Sequence, residues 1–132
     1  QARNAEGEPT VSHPHFEPHP IQGWTPDFIP FVLQEAIDNR LYDELLKVTG
    51  SDGIAWAKRL ALKEGIFTGV SGGSSLSVGM EVAKTAPEGS NILCMLPDTG
   101  ERYLSTPLFD GIEEEMSEDE IALSRSTPGY QL

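Results

Sequence analysis

The spacing of apolar residues along the chain predicts three helices separated by short apolar runs. Apolar side chains recur three or four positions apart in three stretches, which gives each helix one hydrophobic face. Ser51 can cap the second helix, Gly65 can end it, and Gly72 and Gly73 can form a tight turn into the third. The predicted helices span residues 30–38, 52–64 and 74–85.

Short apolar runs before and between these helices are typical of β-strands. The last run is continuously apolar, a pattern expected of a strand that is buried on both faces. The order β-α-β-α-β with short links predicts the α/β class: a partial, right-handed parallel sheet flanked by helices. The predicted strands span residues 44–49, 66–70 and 91–96.

The two ends of the chain differ in composition from its centre. Residues 1–20 are polar and carry four prolines, which predicts an extended N-terminal arm. Six of the eight residues in 113–120 are acidic, so 113–132 is predicted to be a solvated or disordered acidic tail, or a docking site for a basic partner. The folded unit is predicted to span 21–112.

Composition excludes several classes of function. The 132 residues carry a formal net charge of −12, and such a surface repels nucleic-acid phosphates and anionic membranes. The single cysteine allows no internal disulfide, and no apolar run reaches the roughly 20 residues of a transmembrane helix. We therefore expect an intracellular protein, and the choice between the cytoplasm and an organelle such as a plastid or mitochondrion stays open.

Two segments at the ends of predicted strands could carry chemistry. The glycine- and serine-rich stretch 69–75 follows a strand and opens a helix, so it could bind an anion or cofactor, or be a tight turn that needs small residues. The stretch 96–106 reaches the same edge of the predicted sheet. It could form a site wall or a structural lock between Glu101 and Arg102.

Isolated residue types give weaker signals. Trp24 could form a site wall or lid, Trp56 is predicted to pack on its helix, and Cys94 is predicted to be an inert core thiol. Three histidines have a spacing compatible with zinc or nickel, but they lie between prolines with no rigid scaffold, so we predict loop histidines and no metal site. These are His13, His15 and His19.

Three longer motifs resemble one enzyme family. Residues 97–109, PDTGERYLSTPLF, closely resemble the C-terminal signature of cysteine synthases, also called O-acetylserine sulfhydrylases. Residues 52–73 resemble the helix-strand-loop segment of that family, and residues 19–30, HPIQGWTPDFIP, resemble its H-K-I-Q-G segment. The motifs follow the family's order and cover about residues 17–112.

The resemblance implies a fold-type-II enzyme that uses pyridoxal phosphate to convert O-acetylserine and sulfide into cysteine and acetate by β-elimination and replacement. By motif position, Ser71 matches the serine that hydrogen-bonds the pyridine nitrogen of the cofactor. The residues that match the turn beside the ring are Pro97, Asp98 and Thr99. The residues that match the loop at the substrate entrance are Gln22, Gly23, Trp24 and Thr25.

Departures from the family pattern limit what the resemblance implies. Residues 23–27 replace a Gly-Ile-Gly-Ala-Gly run, which changes the shape of the entrance, and Asp98 replaces a serine and adds a negative charge. The family's Schiff-base lysine, asparagine loop and phosphate loop belong to an N-terminal segment that this sequence lacks. None of the four lysines, at 47, 58, 63 and 84, has the catalytic context, so no catalytic residue is predicted.

The favoured hypothesis is a C-terminal part of a cysteine synthase-like enzyme that is inactive alone and binds no pyridoxal phosphate by itself. Its expected partner is the missing N-terminal part or another protein subunit, within an oligomer or larger complex. The alternative is a non-catalytic accessory or assembly subunit derived from such a fragment. A free-standing small-molecule binding module is less favoured, because three parallel strands would leave an exposed edge.

Overall fold

Helices make up the regular structure of residues 2–21 and 23–126, the part of the chain that the computed structural model describes. The first helix starts one residue later than the predicted range 30–38 and ends where predicted. None of the described helices is long and apolar enough to cross a membrane. The α-helices are α1 (Phe31–Asp38), α2 (Gly50–Glu64), α3 (Val70–Ala83) and α4 (Glu118–Arg125). Two short 3₁₀ helices span Gly100–Tyr103 and Pro107–Phe109.

Helix α2 is bounded by side-chain and backbone caps. The hydroxyl of Thr49 accepts a hydrogen bond from the amide of Asp52 at 3.1 Å, so Thr49 is the N-cap and the predicted cap at Ser51 is wrong. At the other end Gly65 adopts a left-handed conformation with φ of 69°, which confirms the predicted helix end.

Glycines bring α2 and α3 into close contact. The predicted turn at Gly72 and Gly73 is wrong, because both residues lie inside α3 and are buried. A methyl group added to Gly73 would overlap the carbonyl oxygen of Gly53 and lie 2.6 Å from the amide nitrogen of Ala57. The missing side chain therefore serves the packing of two helices and not a change of chain direction.

The buried core includes residues of both helices of this pair. Ser74 is fully buried between the helices, where its hydroxyl donates a 2.9 Å hydrogen bond to the carbonyl of Val70. The apolar residues of this core come from the loop before α1, from α2, from α3 and from the second 3₁₀ helix. The four buried members are Ile21, Ala57, Val70 and Leu108, and the partly buried members are Ile54, Tyr103 and Phe109.

The predicted parallel sheet is not formed by the described residues. In the three predicted strand regions, the one sheet-type pairing is an isolated antiparallel bridge between Thr68 and Thr99. Residues 91–96 carry no strand, and Leu93 is 94% exposed. A strand needs neighbouring strands to pair its amide and carbonyl groups, and the described residues supply none beside this stretch.

The N-terminal arm folds back on the chain and is not extended. The amide of Thr10 donates to the carbonyl of Ala2 at 3.0 Å, around a turn at Gly7 whose φ is 85°. The amide of His13 donates to the carbonyl of Asp27 at 2.5 Å. The arm is therefore attached to the loop that precedes α1.

The acidic segment near the C-terminus contains a short, self-capped helix. The amide of Ser117 donates to the Glu120 carboxylate at 2.7 Å, while the Ser117 hydroxyl accepts from the amide of Glu120 at 3.3 Å. This reciprocal capping box starts α4. The predicted tail is thus helical over 118–125, and its last residues, 127–132, lie outside the described residues.

Candidate functional site

A cavity of about 680 Å³ lies where three segments converge: the loop that follows Pro20, the N-terminal turn of α3 and the stretch 97–108. Its volume is that of a site for a small molecule or cofactor. Most of its wall is apolar, with a few polar groups between. The lining residues are Pro20, Ile21, Gly23, Trp24, Ile54, Val70, Ser71, Pro97, Asp98, Tyr103, Thr106, Pro107 and Leu108.

Ser71 presents a polar group to this cavity from the first turn of α3. The residue is 6% exposed, and its hydroxyl has no hydrogen-bond partner among the residues that the structure describes. No side chain caps the start of α3 at Gly69. The hydroxyl and the free first amides of the helix can therefore both meet an acceptor or donor in the cavity.

Asp98 and Tyr103 form a hydrogen-bonded pair in the cavity wall. The Tyr103 hydroxyl donates to Oδ2 of Asp98, and this bond raises the pKa of Tyr103 above its ordinary value of 10.0. Oδ1 of Asp98 is buried and has no hydrogen-bond partner in the described structure. The main-chain carbonyl of Asp98 accepts from the hydroxyl of Thr68 at 3.1 Å, which fixes the backbone here.

The other two residues of the 97–99 turn differ in whether they line the cavity. Pro97 lines the cavity, whereas Thr99 is exposed and precedes the first 3₁₀ helix. A side-chain hydrogen bond with Thr99 lowers the pKa of Glu101. The hydrogen bond that locks this segment joins Tyr103 to Asp98, and not Glu101 to Arg102 as one of the two hypotheses held.

The predicted substrate loop contributes two of its four residues to the cavity. Gly23 and Trp24 line it, and Trp24 is 49% exposed. Thr25 faces elsewhere, with its hydroxyl donating to the carbonyl of Ile21 at 3.1 Å. Gln22 lies outside the described residues.

Two polar lining residues were missed from the sequence. Tyr103 and Thr106 belong to a segment that the sequence singled out, but neither was selected within it. The five-residue spacing between Asp98 and Tyr103 could have indicated their contact, because a 3₁₀ turn that starts at Gly100 can bring the Tyr103 hydroxyl back to position 98.

Lysine is absent from the described lining of the cavity. Lys58 donates to the carbonyl of Asp110 at 3.2 Å, and Lys84 forms an ion pair with Glu81 at 2.6 Å. The sequence has two further lysines, Lys47 and Lys63. No lysine amine is thus placed to form a covalent bond to a carbonyl compound in this cavity.

The remaining candidates have local structural roles. The three histidines line a separate cavity of about 330 Å³, and His19 Nδ1 accepts from the amide of Ile21 at 3.1 Å. No group of three potential metal ligands occurs among the residues in 2–21 and 23–126.

Cys94 is half-buried with its Sγ against Gly79, so the prediction that it is a core thiol is wrong. The guanidinium of Arg59 stacks 4.2 Å from the ring centre of Trp56 on the surface of α2.

Sequence comparison relates the chain to two kinds of synthase. Over 99 residues it is 46% identical to the O-ureido-L-serine synthase of Streptomyces lavendulae, across 75% of this chain and 29% of that protein. Over 106 residues it is 39% identical to a probable cysteine synthase of Bacillus subtilis, across 80% of this chain and 33% of that protein. No family model matches the chain.

Solved structures give the same relationship. A crystal structure of O-ureido-L-serine synthase matches 80% of this chain with a TM-score of 0.68 and 44% identity, and the match covers 32% of that enzyme. A cysteine synthase from Entamoeba histolytica matches 81% of this chain with a TM-score of 0.63 and 33% identity, over 30% of its own length.

The chain therefore spans about a third of the length of the proteins that it matches. The two kinds of comparison agree on the family, and they confirm the resemblance that the three motifs carry. This chain carries a segment of the cysteine synthase family, homologous over about 80% of its length to cysteine synthases and O-ureido-L-serine synthase.

Proposed function

We propose that this chain supplies one wall of the active site of a pyridoxal phosphate-dependent, cysteine synthase-like enzyme, with residues 21–112 as the C-terminal part of its cofactor-binding large domain. One observation carries the proposal. A single cavity brings together Ser71, the 97–98 turn and the loop at Gly23 and Trp24, three features that are far apart in the sequence.

The polar groups present suit one part of the cofactor. Ser71 is buried and unpartnered at the cavity, so its hydroxyl can hold the pyridine nitrogen. Pro97 and Val70 line the same cavity and would offer apolar contacts to the ring, and Gly23 and Trp24 line it as well. When bound, the cofactor supplies the electron sink for elimination and replacement at the β-carbon of an amino acid.

The amine that must capture the cofactor is not on this wall. The reaction needs a lysine both to hold the cofactor covalently and to move a proton, and no lysine lines the described cavity. We therefore infer that the chain is inactive by itself and that the remaining part of the enzyme, or a partner subunit, provides the lysine.

The incomplete sheet supports a structural dependence on that missing part. The stretch 91–96 is exposed along an apolar run, with Leu93 at 94% and Met95 at 69% exposure. We propose that 66–69 and 91–96 become strands of a parallel sheet when the other segments of the enzyme pair with them, since pairing would satisfy their backbone groups and cover their side chains.

A reconstituted enzyme tests this proposal. The homologous third of the Streptomyces lavendulae O-ureido-L-serine synthase would be replaced by this chain, and pyridoxal phosphate binding would be measured by absorbance. We expect the chimera to bind the cofactor and to form cysteine or O-ureido-L-serine, and the Ser71→Ala variant to bind the cofactor more weakly. The matched control is Ser126→Ala, an exposed serine outside the cavity.

Two results would contradict the proposal. One is a folded chimera that does not bind pyridoxal phosphate while the parent enzyme does. The other is this chain alone, mixed with the cofactor and O-acetylserine, showing a stoichiometric covalent cofactor band and releasing acetate.

A non-catalytic accessory subunit is the second candidate. Many apolar side chains outside the cavity are exposed, among them Leu45 at 80% and Leu62 at 83% exposure. Exposed apolar surface is typical of a protein that docks on a partner, which favours this role. The native mass of the complex isolated with the protein distinguishes the two roles. A companion polypeptide carrying the family's lysine segment supports the enzyme, and a companion unrelated to the family supports the accessory role.

A further inference from the structure

The tryptophan of the loop before α1 lies between two cavities. Trp24 lines the main cavity of about 680 Å³ and also the neighbouring cavity of about 330 Å³ that the three histidines line. The residue is 49% exposed, so packing encloses only about half of it. The shape of the main cavity on this side therefore depends on how firmly the loop that carries Trp24 is held.

Local hydrogen bonds hold the first half of this loop. Ile21 is buried in the core, and its carbonyl accepts from the amide of Trp24 at 3.0 Å and from the hydroxyl of Thr25 at 3.1 Å. Pro26 follows, with a fixed φ and no amide donor. The turn thus ends at Thr25, and the second half of the loop is held by contacts from elsewhere in the chain.

The N-terminal arm supplies these contacts. The hydroxyl of Ser12 donates to Oδ2 of Asp27 at 2.7 Å, and the amide of His13 donates to the main-chain carbonyl of Asp27 at 2.5 Å. A third contact joins the guanidinium of Arg3 to the carbonyl of Ile29. The arm therefore holds both the side chain and the backbone of Asp27, three residues after Trp24.

We propose that Asp27 is a positioning residue: bound by Ser12 and His13, it keeps Trp24 in the wall of the main cavity. Trp24 in turn shapes the cavity for the substrate, and this part of the inference rests on the function proposed above. A hydrogen bond to an ionised carboxylate is stronger than one between neutral groups, which suits Asp27 for this role. A loop that is already in place spends no binding free energy on ordering, so loosening it weakens the apparent affinity for the substrate.

The surroundings of Trp24 can be measured directly by ¹⁹F NMR. The complete protein that carries this chain, with its copurifying subunits, would be labelled with fluorinated tryptophan, and the resonance that Trp24→Phe removes would be assigned to Trp24. We expect Asp27→Ala to shift this resonance and to increase its solvent isotope shift between water and heavy water, because the indole becomes more exposed. Ser12→Ala is expected to act in the same direction. Asp27→Asn keeps an oxygen that can accept from Ser12 and is expected to stay close to the parent.

Two controls accompany this measurement. Asp43→Ala removes an equal charge from an exposed aspartate outside the helices and outside both cavities, so it is expected to leave the Trp24 resonance unchanged. Trp56 is an internal control, because it lies on α2 beside Arg59 and its resonance should stay in place in every variant.

Turnover of O-acetylserine tests the part of the inference that concerns the substrate. Losing one hydrogen bond lowers the population of the ordered loop by about two- to tenfold. We therefore expect Asp27→Ala to raise the KM for O-acetylserine by about two- to tenfold and to leave kcat unchanged.

An unchanged Trp24 resonance in both Asp27→Ala and Ser12→Ala would overturn the positioning role. So would an Asp27→Asn resonance shifted as far as that of Asp27→Ala, because the charge of Asp27 and not its hydrogen bond would then be responsible. If Asp27→Ala does not fold, Ser12→Ala decides the question alone, since it deletes a single hydroxyl from an exposed residue.

The two measurements separate this inference from the proposed function. A shifted Trp24 resonance with an unchanged KM overturns the substrate part and leaves the positioning role standing. A complete protein that does not turn over O-acetylserine overturns the proposed function and the substrate part with it, while the NMR result still decides the role of Asp27.

Discussion

The contact between α2 and α3 can be tested by adding one methyl group, with Gly73→Ala. The new Cβ would lie 2.6 Å from the amide nitrogen of Ala57, where ordinary contact begins at 3.4 Å, and it would overlap the carbonyl oxygen of Gly53. Both obstacles are backbone atoms of a helix, so no side chain can move aside. The helices must separate locally by at least 0.8 Å, the difference between those two distances, because the carbonyl oxygen of Gly53 lies closer still.

A separation of this size has a calculable cost. A gap of 0.5–1 Å forfeits roughly a quarter to a half of the van der Waals attraction between facing atoms. Overpacking a core typically costs about 1–3 kcal/mol. Alanine stabilises a helix by about 1 kcal/mol relative to glycine, which offsets part of that cost. Because the new methyl group meets backbone atoms, the upper end of the overpacking cost applies, and we expect Gly73→Ala to lower the free energy of unfolding by about 2 kcal/mol.

Urea unfolding followed by far-UV circular dichroism would measure this change in the protein that carries the chain. Gly23→Ala is the matched control, because a methyl group there meets nothing within 4 Å and the residue lies outside the helices. A Gly73→Ala protein with an unfolding midpoint equal to or above that of the parent would refute the close-packing argument.

Three further predictions concern caps and titrations. Gly65→Ala should destabilise α2 by about 1 kcal/mol, seen as a lower unfolding midpoint, because alanine is strained at a φ of 69°. The pKa of Glu120 is lowered from 4.5 by hydrogen bonds with Ser117, so this stabilisation is complete above pH 4.5 and is lost as the pH falls through the lowered pKa. NMR titration should show that Ser117→Ala returns the pKa towards 4.5. The pKa of Tyr103 is raised above 10.0 by the hydrogen bond to Asp98, so that stabilisation holds below pH 10 and is lost as the pH rises through the raised pKa. Tyrosinate absorbance should show that Asp98→Asn brings the titration back towards 10.0.

The helices were predictable because their signals are local. The spacing of apolar residues predicted α1 and α2. Gly65 predicted the end of α2, because glycine adopts the left-handed conformation at a helix end more easily than other residues. The start of α3 was placed four residues too late, because glycine has a low helix propensity when judged alone. What decides in favour of a helix at Gly72 and Gly73 is the close approach of neighbouring residues, which a single sequence does not display.

The strands and the site illustrate non-local effects. An apolar run at 91–96 has the composition of a buried strand, but a strand also needs neighbours, and the described chain has none there. Ser71, Pro97 and Asp98, which the motifs singled out, line one cavity in the structure, and their role in binding a cofactor stays a prediction. The pairing of Tyr103 with Asp98 depends on a short 3₁₀ turn, whose local signal is weak.

The exposed stretch 91–96 has a consequence for how this polypeptide behaves at high concentration. Its backbone offers unpaired amides and carbonyls beside leucine and methionine side chains that face water. Copies of such a stretch can stack into intermolecular cross-β ladders, which makes an unaccompanied chain prone to precipitate. The substitution Leu93→Lys would oppose such stacking through charge repulsion, and it would also remove the side chain that a companion polypeptide should cover.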